Sequence, residues 1–269
     1  MPEGDTLARI AITLREALAG QRVEHFRSPI PALRDTGLEG RTIESVESRG
    51  KHLLIRFDDG RTLHTHLRMS GEWLLFPRAG PTARDLVAIE TSDRAAVLRR
   101  RPGAGAPPIV RLLSEDALRR DRVLRSLGPD VLASDFDAHE AARRLRASIR
   151  PTIAEALLDQ RDVAGIGNEW KSELLFLSGI DPRTPPSDVS DARWLELLGR
   201  ARELLTKNVS RGKSGRFAIV GRASRFAPGP SKWVYGRAGR PCLRCGAPIR
   251  FLRQGLDRRS TYHCPRCQR

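Results

Sequence analysis

Through its middle the chain reads Leu157-Leu-Asp-Gln-Arg-Asp-Val-Ala-Gly-Ile-Gly-Asn168-Glu-Trp-Lys-Ser-Glu-Leu-Leu-Phe176. An apolar helical segment ends before a Gly-x-Gly turn, and Asn168 opens the next helix. The start of a helix presents free backbone N–H groups, which can bind a phosphate. The same residues also fit a plain tight turn, with Gly165 and Gly167 between the helices and Asn168 as the N-cap. Both interpretations predict two helices joined at this point.

The sequence on either side is also typical of helices. Residues 102–108, Pro-Gly-Ala-Gly-Ala-Pro-Pro, break regular structure and are expected to form a flexible loop. Asn208–Ala238 is rich in Gly, Arg and Ser and is expected to be a mobile basic loop. Between these loops, helical spacing or capping residues predict helices near Ser114–Ser126, Asp137–Ile149, Ile153–Leu158, Asn168–Leu177 and Val189–Lys207.

The N-terminal part of the chain has a different pattern. One helix is expected over Thr6–Ala19, where Asp5 can cap its start and Gly20 can end it. Short β-type runs follow, and Asp58-Asp59-Gly60 between two of them predicts a hairpin. The pattern predicts a β-sandwich or flattened barrel that opens with one helix. The expected strands are Thr42–Val46, His52–Phe57, Arg61–Leu67, Trp73–Phe76, Leu86–Glu90 and Ala95–Leu98.

All four cysteines lie near the C-terminus, as Cys242-x2-Cys245 and Cys264-x2-Cys267. Each pair forms a tight knuckle with two thiolates, and two knuckles complete a tetrahedral zinc site. A redox role is disfavoured because one such pair suffices for it. Four thiolates leave no position for water, so a structural zinc is expected. Phe251–Arg253 and Thr261–Tyr262 are expected to form the two strands of a hairpin in this module.

The charge balance favours a polyanionic partner. The chain has 48 basic and 32 acidic residues, a formal net charge of +16 and a pI of about 11.1. Five of the basic residues are lysine and the others are arginine. Arginine suits bidentate contacts with phosphate and guanine. A compositional bias could explain the excess of arginine over lysine but not the net charge, so nucleic acid is the favoured partner.

The sequence favours a cytoplasmic protein. It shows no apolar N-terminal segment with a cleavage site. It shows no run of about 18 apolar residues that could span a membrane. Paired cysteines of this spacing are typical of metal ligands in a reducing compartment. We therefore expect a cytoplasmic, nucleoid-associated protein with no membrane partner.

The chain begins Met1-Pro2-Glu3-Gly4-Asp5. If Met1 is removed, Pro2 becomes a free secondary amine, and an α-amino group titrates near ~8. Such an amine can attack an electrophilic sugar carbon and form an iminium. Glu3 beside it could transfer protons. The plainer alternative is that these residues only lead into the first helix.

Two further motifs carry polar groups that could bind a ligand. In Arg49-Gly50-Lys51-His52, Lys51 could reach a phosphate or a sugar oxygen, although a solvated lysine is the simpler interpretation. His64 and His66 share one strand face because side chains alternate along a strand. They allow a metal site, but no third ligand is evident, so this alternative is the weaker one.

Five groups of residues, taken in order, resemble the formamidopyrimidine-DNA glycosylase / endonuclease VIII family of base-excision repair enzymes. The resemblance extends nearly from end to end. Few of these motifs are specific alone, whereas their order and spacing together are highly specific. They are Pro2-Glu3-Gly4, Gly50-Lys51-His52-Leu53-Leu54, His66-Leu67-Arg68-Met69-Ser70-Gly71, the stretch 160–176, and Cys242 with Cys264-Pro265-Arg266-Cys267-Gln268.

The resemblance implies an α+β fold in three parts. Residues 1–112 would form the N-terminal catalytic β-sandwich with its leading helix. Residues 113–238 would form a helix–two-turn–helix DNA-binding domain with the basic loop. Residues 239–269 would form a zinc-finger β-hairpin that holds one structural Zn²⁺. The implied partner is damaged DNA, and the protein is expected to be a monomer.

The resemblance also assigns roles to single residues. Pro2 is the expected nucleophile at C1′ of the damaged nucleotide, and Glu3 is the expected acid/base. Arg259 is selected because it stands two residues before Thr261 in Arg-Ser-Thr-Tyr-His-Cys. Together with Pro2 and Glu3, Lys51 and Arg259 complete the expected catalytic set. The residues expected to hold phosphates around the flipped nucleotide are Lys51, Asn168 and Arg259.

Departures from the family pattern bear on the substrate. Met69 is expected to fill the space left by the flipped base. Further void-filling residues are unassigned, because Leu98-Arg-Arg-Arg-Pro-Gly103 stands where the formamidopyrimidine branch has an Asp-Pro-Arg-Arg-Phe-Gly loop. The endonuclease VIII branch often has a glutamate at the position of Thr6, whereas Asp5 is the neighbouring carboxyl here. The start Pro2-Glu3-Gly4 is closer to that branch, which favours oxidised pyrimidines.

These observations favour a bifunctional DNA glycosylase and abasic-site lyase. It would remove oxidised bases, chiefly pyrimidines, through an iminium at Pro2 and cleave the strand by β,δ-elimination. One alternative is a glycosylase directed at purines such as 8-oxoguanine or formamidopyrimidine. The other is a non-catalytic zinc-ribbon DNA-binding protein. Pro2 and Glu3 favour an enzyme over this last alternative.

Overall fold

The computed structural model describes residues 2–77, 82, 85–103, 105–210 and 232–269. The described chain separates into two compact units. The first unit contains residues 2–125 with 208–210, and the second contains residues 126–207 with 232–269. Most of the loop expected over Asn208–Ala238 lies outside the described residues.

The leading helix α1 (Gly4–Leu18) begins two residues before its predicted start. Its N-cap is Glu3, which has an extended backbone and whose side chain makes no capping hydrogen bond. The prediction that Asp5 is the cap was wrong. Asp5 lies in the first turn, where a carboxylate is favoured by the helix dipole, and it pairs with Arg9 at 3.7 Å.

Eight strands of the first unit form two antiparallel four-stranded sheets. The strands are β1 (His25–Arg27), β2 (Ile43–Arg49), β3 (His52–Phe57), β4 (Thr62–His66), β5 (Gly71–Pro77), β6 (Asp85–Glu90), β7 (Arg94–Arg100) and β8 (Ile109–Leu113). The strand orders are β1-β6-β7-β5 and β2-β3-β4-β8. The predicted hairpin at Asp58-Asp59-Gly60 joins β3 and β4, and Gly60 has a φ of +79°. Glycine adopts this left-handed conformation without a steric penalty.

Side chains from both sheets and from α1 share one hydrophobic core. In β3, Leu53, Ile55 and Phe57 are fully buried in this core, as the alternation of a strand requires. The prediction of a β-sandwich that opens with a helix is confirmed. The side chains that α1 contributes at helical spacing are Leu7, Ile10, Ala11, Leu14 and Leu18.

Two strands, β1 and β8, are not indicated by the sequence pattern. The residues of β8 are Ile-Val-Arg-Leu-Leu, so no alternation of apolar and polar residues marks it, and all of them are half-buried. β8 nevertheless pairs along the whole of β4, with Arg111 opposite His64. Its strand conformation therefore depends on a partner distant in sequence, which local pattern cannot reveal.

Helices lie at each predicted position. The prediction over Ser114–Ser126 corresponds to two short helices separated at Asp121, and Ser114 caps the first by accepting the N–H of Ala117 at 3.2 Å. The last helix continues past its predicted end at Lys207. Among the described residues, no helix is long and apolar enough to cross a membrane. The helices are α2 (Glu115–Arg120), α3 (Arg122–Arg125), α4 (Ala138–Arg146), α5 (Ile153–Ala156), α6 (Asn168–Leu177) and α7 (Asp191–Ser210).

The start of α6 is fixed by the Gly-x-Gly turn. Gly165 has a φ of +98°, and Gly167, rather than Asn168, is the N-cap. Leu174 and Leu175 of α6 are fully buried in the core of the second unit. This packing holds Asn168 at the first position of the helix.

The C-terminal residues form the expected hairpin. Its strands are β9 (Arg250–Gln254) and β10 (Arg259–His263), which pair antiparallel with Ser260 opposite Arg253. A small core that contains Phe176, Val234 and Ile249 packs against the cysteines. The fold therefore consists of a β-sandwich with a leading helix, a helical domain and a cysteine-bearing hairpin, as predicted.

Candidate functional site

Pro2 and Glu3 lie immediately before α1. Pro2 is half-buried, and Glu3 is 3% exposed. The carbonyl of Glu3 accepts the N–H of Leu7 at 3.1 Å, which fixes the Glu3 backbone as the first turn begins. The structure thus places a buried carboxyl next in sequence to the candidate amine nucleophile. A buried carboxyl beside an amine is suited to proton transfer.

Lys51 lies in the tight turn between β2 and β3. Gly50 has a φ of +57° in this turn, and Arg49 pairs with His52 across it. The positive charge of Lys51 acts on His66, the cross-strand partner of His52. The structure therefore brings Lys51 to the end of β4, where the Met69 segment begins.

Met69 lies at the tip of a strained turn that follows β4. Arg68 has a φ of +47°, and Met69 is 46% exposed. Arg101 donates to the carbonyl of Met69 at 2.7 Å. A side chain at Gly71 would meet the Leu67 carbonyl at 2.9 Å, so glycine is required there. The turn presents an apolar side chain on a fixed backbone.

The histidines of the sandwich do not form a metal site. His64 and His66 share a face, and His52 adds a third imidazole beside them. Burial lowers the pKa of His52 to about 3 and the pKa values of His64 and His66 to about 4. Within the described part of the chain, only the four cysteines are grouped closely enough to hold a metal ion.

Asn168 is 4% exposed and is held by a polar network at the start of α6. Its Nδ2 donates to Ser260 Oγ at 2.8 Å, and its Oδ1 accepts from Lys171 Nζ at 2.9 Å. Lys171 Nζ also donates to Thr261 Oγ1 at 2.7 Å. The network ties Asn168 to the strand that begins with Arg259.

Arg259 is the first residue of β10 and is about half exposed. Its guanidinium lies 3.7 Å from the Asp257 carboxylate, which is a loose, exposed pair. Exposed pairs contribute little free energy, so the guanidinium can exchange this carboxylate for a phosphate. Arg259 and Lys171 both line a cavity of about 300 Å³ in the second unit.

The candidate residues fall into two groups. Pro2, Glu3, Lys51 and Met69 belong to the first unit, whereas Asn168 and Arg259 belong to the second. Within the first unit, Lys51 lies near the end of β4, because the neighbouring His52 pairs with His66. Within the second unit, Asn168 donates a hydrogen bond to Ser260, which follows Arg259 in the chain.

Sequence reasoning missed two buried charged residues of α6. Lys171 is fully buried beneath Asn168. Glu173 accepts the N–H groups of Trp233, Val234 and Tyr235 at 2.7, 2.9 and 2.8 Å. The spacing of Lys171 could have indicated its role. It stands three residues after Asn168 and therefore lies on the same face of the helix.

The four cysteines lie together in the hairpin module, close enough to one another to hold a metal ion. Their Sγ atoms all lie within 4.8 Å of one another, with Cys245 to Cys264 at 3.5 Å and Cys242 to Cys267 at 4.0 Å. Zn–S bonds of about 2.3 Å in a tetrahedron place sulfurs roughly 3.8 Å apart. A hydrogen bond from the Ala247 backbone lowers the pKa of Cys245 to about 7. The cysteines are thus positioned for zinc.

Two family models match the chain. The model of the formamidopyrimidine-DNA glycosylase N-terminal domain matches residues 1–102. The model of the formamidopyrimidine-DNA glycosylase H2TH domain matches residues 127–218. The two matches cover the sandwich, except for β8, and most of the helical domain.

Curated relatives match over the full length of the chain. A probable endonuclease 8 2 of Streptomyces coelicolor is 41% identical and is covered over 94% of its length. The DNA-(apurinic or apyrimidinic site) lyase Nei2 of Mycolicibacterium smegmatis is 37% identical and is covered over 99%. A formamidopyrimidine-DNA glycosylase of Stutzerimonas stutzeri is 36% identical and is also covered over 99%.

Solved structures agree with this relationship. Lactococcus lactis Fpg in complex with DNA containing an oxidized pyrimidine matches with a TM-score of 0.83 at 27% identity, over 100% of both chains. Its complex with DNA containing an abasic site matches with a TM-score of 0.82 at 26% identity, over 99% of both chains. The chain therefore belongs to the formamidopyrimidine-DNA glycosylase / endonuclease VIII family, with relatives of the endonuclease VIII kind among its matches.

Proposed function

We propose that this protein removes oxidised bases, chiefly pyrimidines, through a Schiff base at Pro2 and cleaves the strand by β,δ-elimination. DNA glycosylase and abasic-site lyase activity in base-excision repair follows from its family. The nucleophile, the elimination products and the pyrimidine preference go beyond what the family membership shows. The observation that carries the nucleophile and the elimination is the half-buried Pro2 with the buried Glu3 next to it in sequence at the start of α1.

Base excision uses the nitrogen lone pair of Pro2. That pair forms a bond to C1′ while the bond between C1′ and the base breaks, and the departing base takes the electron pair and a proton. Glu3 supplies and removes protons during this exchange. The Pro2 nitrogen then loses its proton, and its lone pair forms a double bond to C1′ while the bond between C1′ and the ring oxygen O4′ breaks. O4′ takes that electron pair and a proton, which leaves an iminium between Pro2 and the opened sugar, the Schiff-base chemistry of amine nucleophiles.

Strand cleavage follows from the iminium. The positive nitrogen acidifies the proton on C2′, and its removal expels the 3′ phosphate. A second elimination expels the 5′ phosphate and leaves a one-nucleotide gap. Hydrolysis then releases the sugar remnant and frees the Pro2 amine. Both eliminations need a group that moves protons at the sugar, and Glu3 has this role.

Lys51, Asn168 and Arg259 are proposed to hold the phosphates around the flipped nucleotide. Lys51 and Arg259 contribute charge, and Asn168 contributes the start of α6, where backbone N–H groups favour an anion. Phosphate contacts offset the cost of unstacking, a few kcal/mol. The proposal predicts binding that weakens steeply with salt.

Met69 is proposed to occupy the space that the flipped base leaves. Its exposed, apolar side chain on a fixed turn supports this role. Unbranched methionine adapts to irregular cavities, which suits a filler that meets different sequences.

The cysteines Cys242, Cys245, Cys264 and Cys267 are proposed to hold one structural Zn²⁺. When bound, the ion fixes the fold of the hairpin and takes no part in the reaction. We further propose a monomer that acts in the cytoplasm on nucleoid DNA, with functional domains at 1–112, 113–238 and 239–269.

The pyrimidine preference is supported by the endonuclease 8 relatives and by the absence of the Asp-Pro-Arg-Arg-Phe-Gly loop. A preference for purines is supported by relatives named formamidopyrimidine-DNA glycosylase at 36% identity. Defined duplexes decide between them. We expect thymine glycol and 5-hydroxylated pyrimidines to be excised faster than 8-oxoguanine opposite cytosine. A panel in which 8-oxoguanine is the best substrate would reverse the assignment.

Borohydride trapping tests the nucleophile. Reduction of the iminium should join the protein covalently to abasic-site DNA. Peptide mapping of the trapped complex should place the DNA on the N-terminal peptide that begins with Pro2. A trapped adduct on Lys51 would transfer the nucleophile role to that lysine.

A further inference from the structure

A polar cluster lies on the face of the second sheet that points away from the hydrophobic core. It joins three neighbouring strands, since His52 pairs with His66 across β3 and β4, and His64 pairs with Arg111 across β4 and β8. His52 is 7% exposed and His64 is 1% exposed. Asp121, between α2 and α3, completes the cluster through an ion pair with Arg111 at 2.8 Å.

The hydrogen bonds of this cluster have a fixed direction. Arginine only donates, so Arg111 Nη2 donates to His64 Nδ1 at 2.9 Å. The neutral His64 ring then carries its proton on Nε2, and this proton is donated to His52 Nδ1 at 2.8 Å. His52 must in turn carry its proton on Nε2. Arg111 thus sets the tautomers of two successive rings.

These hydrogen bonds require neutral His52 and His64 rings, and burial favours the neutral form of both. It lowers the pKa of His52 to about 3 and that of His64 to about 4, and the charge of Arg111 acts in the same direction. The carboxylate of Asp121 opposes the shift at both rings. The ion pair of Asp121 with Arg111 leaves that carboxylate occupied by the guanidinium.

The chain of hydrogen bonds ends beside the Met69 turn. The rings of His52 and His66 are 4.8 Å apart. His66 Nδ1 accepts the backbone N–H of Arg68 at 3.2 Å, which is the residue with a φ of +47°. A non-glycine residue in this conformation costs free energy unless its surroundings hold it. The His66 ring, packed against His52, is one group that holds it.

We propose that Arg111 is a positioning residue for the Arg68–Met69 turn. Through His64 it fixes the tautomer and the orientation of His52, against which His66 packs to hold the backbone N–H of Arg68. In this role Arg111 acts through His64 and not by its own contact with DNA or with the reacting atoms. The inference rests on the proposed role of Met69, and the experiment separates the failure of one from the failure of the other.

The first arm of the test is ¹⁵N NMR of the imidazole rings in the full-length wild-type protein. Protonated and unprotonated ring nitrogens differ strongly in chemical shift. At pH 7 we expect His52 and His64 to be neutral with the proton on Nε2. A proton on Nδ1 of His64 would overturn the proposal without any variant.

The second arm compares two substitutions at the same position. In Arg111→Met the donor to His64 is lost, whereas in Arg111→Lys an obligate donor remains. We expect Arg111→Met to lower excision from lesion duplexes about fivefold relative to cleavage of a preformed abasic site, the factor that one hydrogen bond corresponds to. Arg111→Lys should restore the ratio and the wild-type tautomers.

Met69→Ala, measured in parallel, separates a failure of the Arg111 positioning role from a failure of the Met69 void-filling role. If Met69→Ala lowers the ratio of excision to abasic-site cleavage and Arg111→Met does not, the positioning role is wrong while the role of Met69 stands. If Met69→Ala leaves the ratio unchanged, the role of Met69 is wrong and the inference falls with it. An equal loss on both substrates in Arg111→Met, with a lowered melting temperature, would indicate a merely structural residue.

Discussion

The sandwich and the helical unit hold their candidate residues by different physical means. In the sandwich, Pro2, Lys51 and Met69 lie at turns and element ends whose backbone is set by one large apolar core. In the helical unit, Asn168 is held by polar contacts with Lys171 and Ser260 and by a hairpin built around four cysteines. Function should therefore depend on single side chains in the first group, and on the metal and a buried charge in the second.

Glu3→Gln should have the largest effect among the side-chain changes. A positioned proton donor contributes ~10²–10⁴-fold to a reaction, and excision needs this donor as the base departs. Single-turnover assays should show a larger loss for base excision than for cleavage of a preformed abasic site. Glu16→Gln, on the exposed face of the same helix, is the matched control and should retain activity. Equal losses on both substrates would restrict Glu3 to the shared elimination or to folding.

Cys264→Ser, or removal of the metal with a chelator, should weaken DNA binding strongly and leave the sandwich folded. The folding free energy of a small zinc module comes largely from the metal, whereas the sandwich has its own core. Native mass spectrometry should find one zinc in the wild-type protein. Circular dichroism should retain the β signal after metal removal. Unfolding of the sandwich on chelation would show that its stability depends on the metal in the other unit.

Lys171→Met should weaken DNA binding by about tenfold, because it leaves the buried oxygens of Asn168 and Thr261 without a donor, at about 1–3 kcal/mol. Lys171→Arg keeps the charge and should lose less. Lys207→Met removes an exposed lysine paired with Glu203 and serves as the control. Fluorescence anisotropy with a labelled abasic duplex measures each affinity. Wild-type affinity in Lys171→Met would show that the network does not position Asn168.

Arg259→Ala should have the smallest effect, since its guanidinium is exposed and makes a loose pair in the free protein. Binding should weaken several-fold, and the slope of affinity against salt concentration should fall by about one ion. Arg119→Ala removes an exposed arginine of α2 and should leave the slope unchanged. An unchanged slope in Arg259→Ala would move the phosphate contact to Arg253 or Arg258.

The local sequence pattern was sufficient to predict most helices and strands. Helix α6 begins and ends where its sequence predicts, because its N-terminus has a Gly-x-Gly turn and its body has apolar periodicity. The cysteine spacing predicted the clustering of the four thiols for a similar reason, since each knuckle is a local structure. The leading helix was predicted with the wrong cap, because Asp5 turns inward to Arg9 instead of bonding its own backbone.

Features that depend on pairing between distant residues could not be predicted. Strand β8 has no alternation, and only its pairing with β4 brings Arg111 to His64. Lys171 meets Thr261 only because the hairpin packs on α6. In both cases the sequence contains the residues but not the register that brings them together.

If Pro2 is the nucleophile, an N-terminal extension should block the reaction at its first step. An extension makes Pro2 a tertiary amide, whose nitrogen has no nucleophilic lone pair and cannot form an iminium. The experiment compares proteins with the same tag at the N-terminus or the C-terminus, after mass spectrometry of each terminus. We predict that the N-terminal tag abolishes excision and abasic-site cleavage while DNA affinity stays near wild type. Full lyase activity in a protein shown to retain residues before Pro2 would contradict the mechanism.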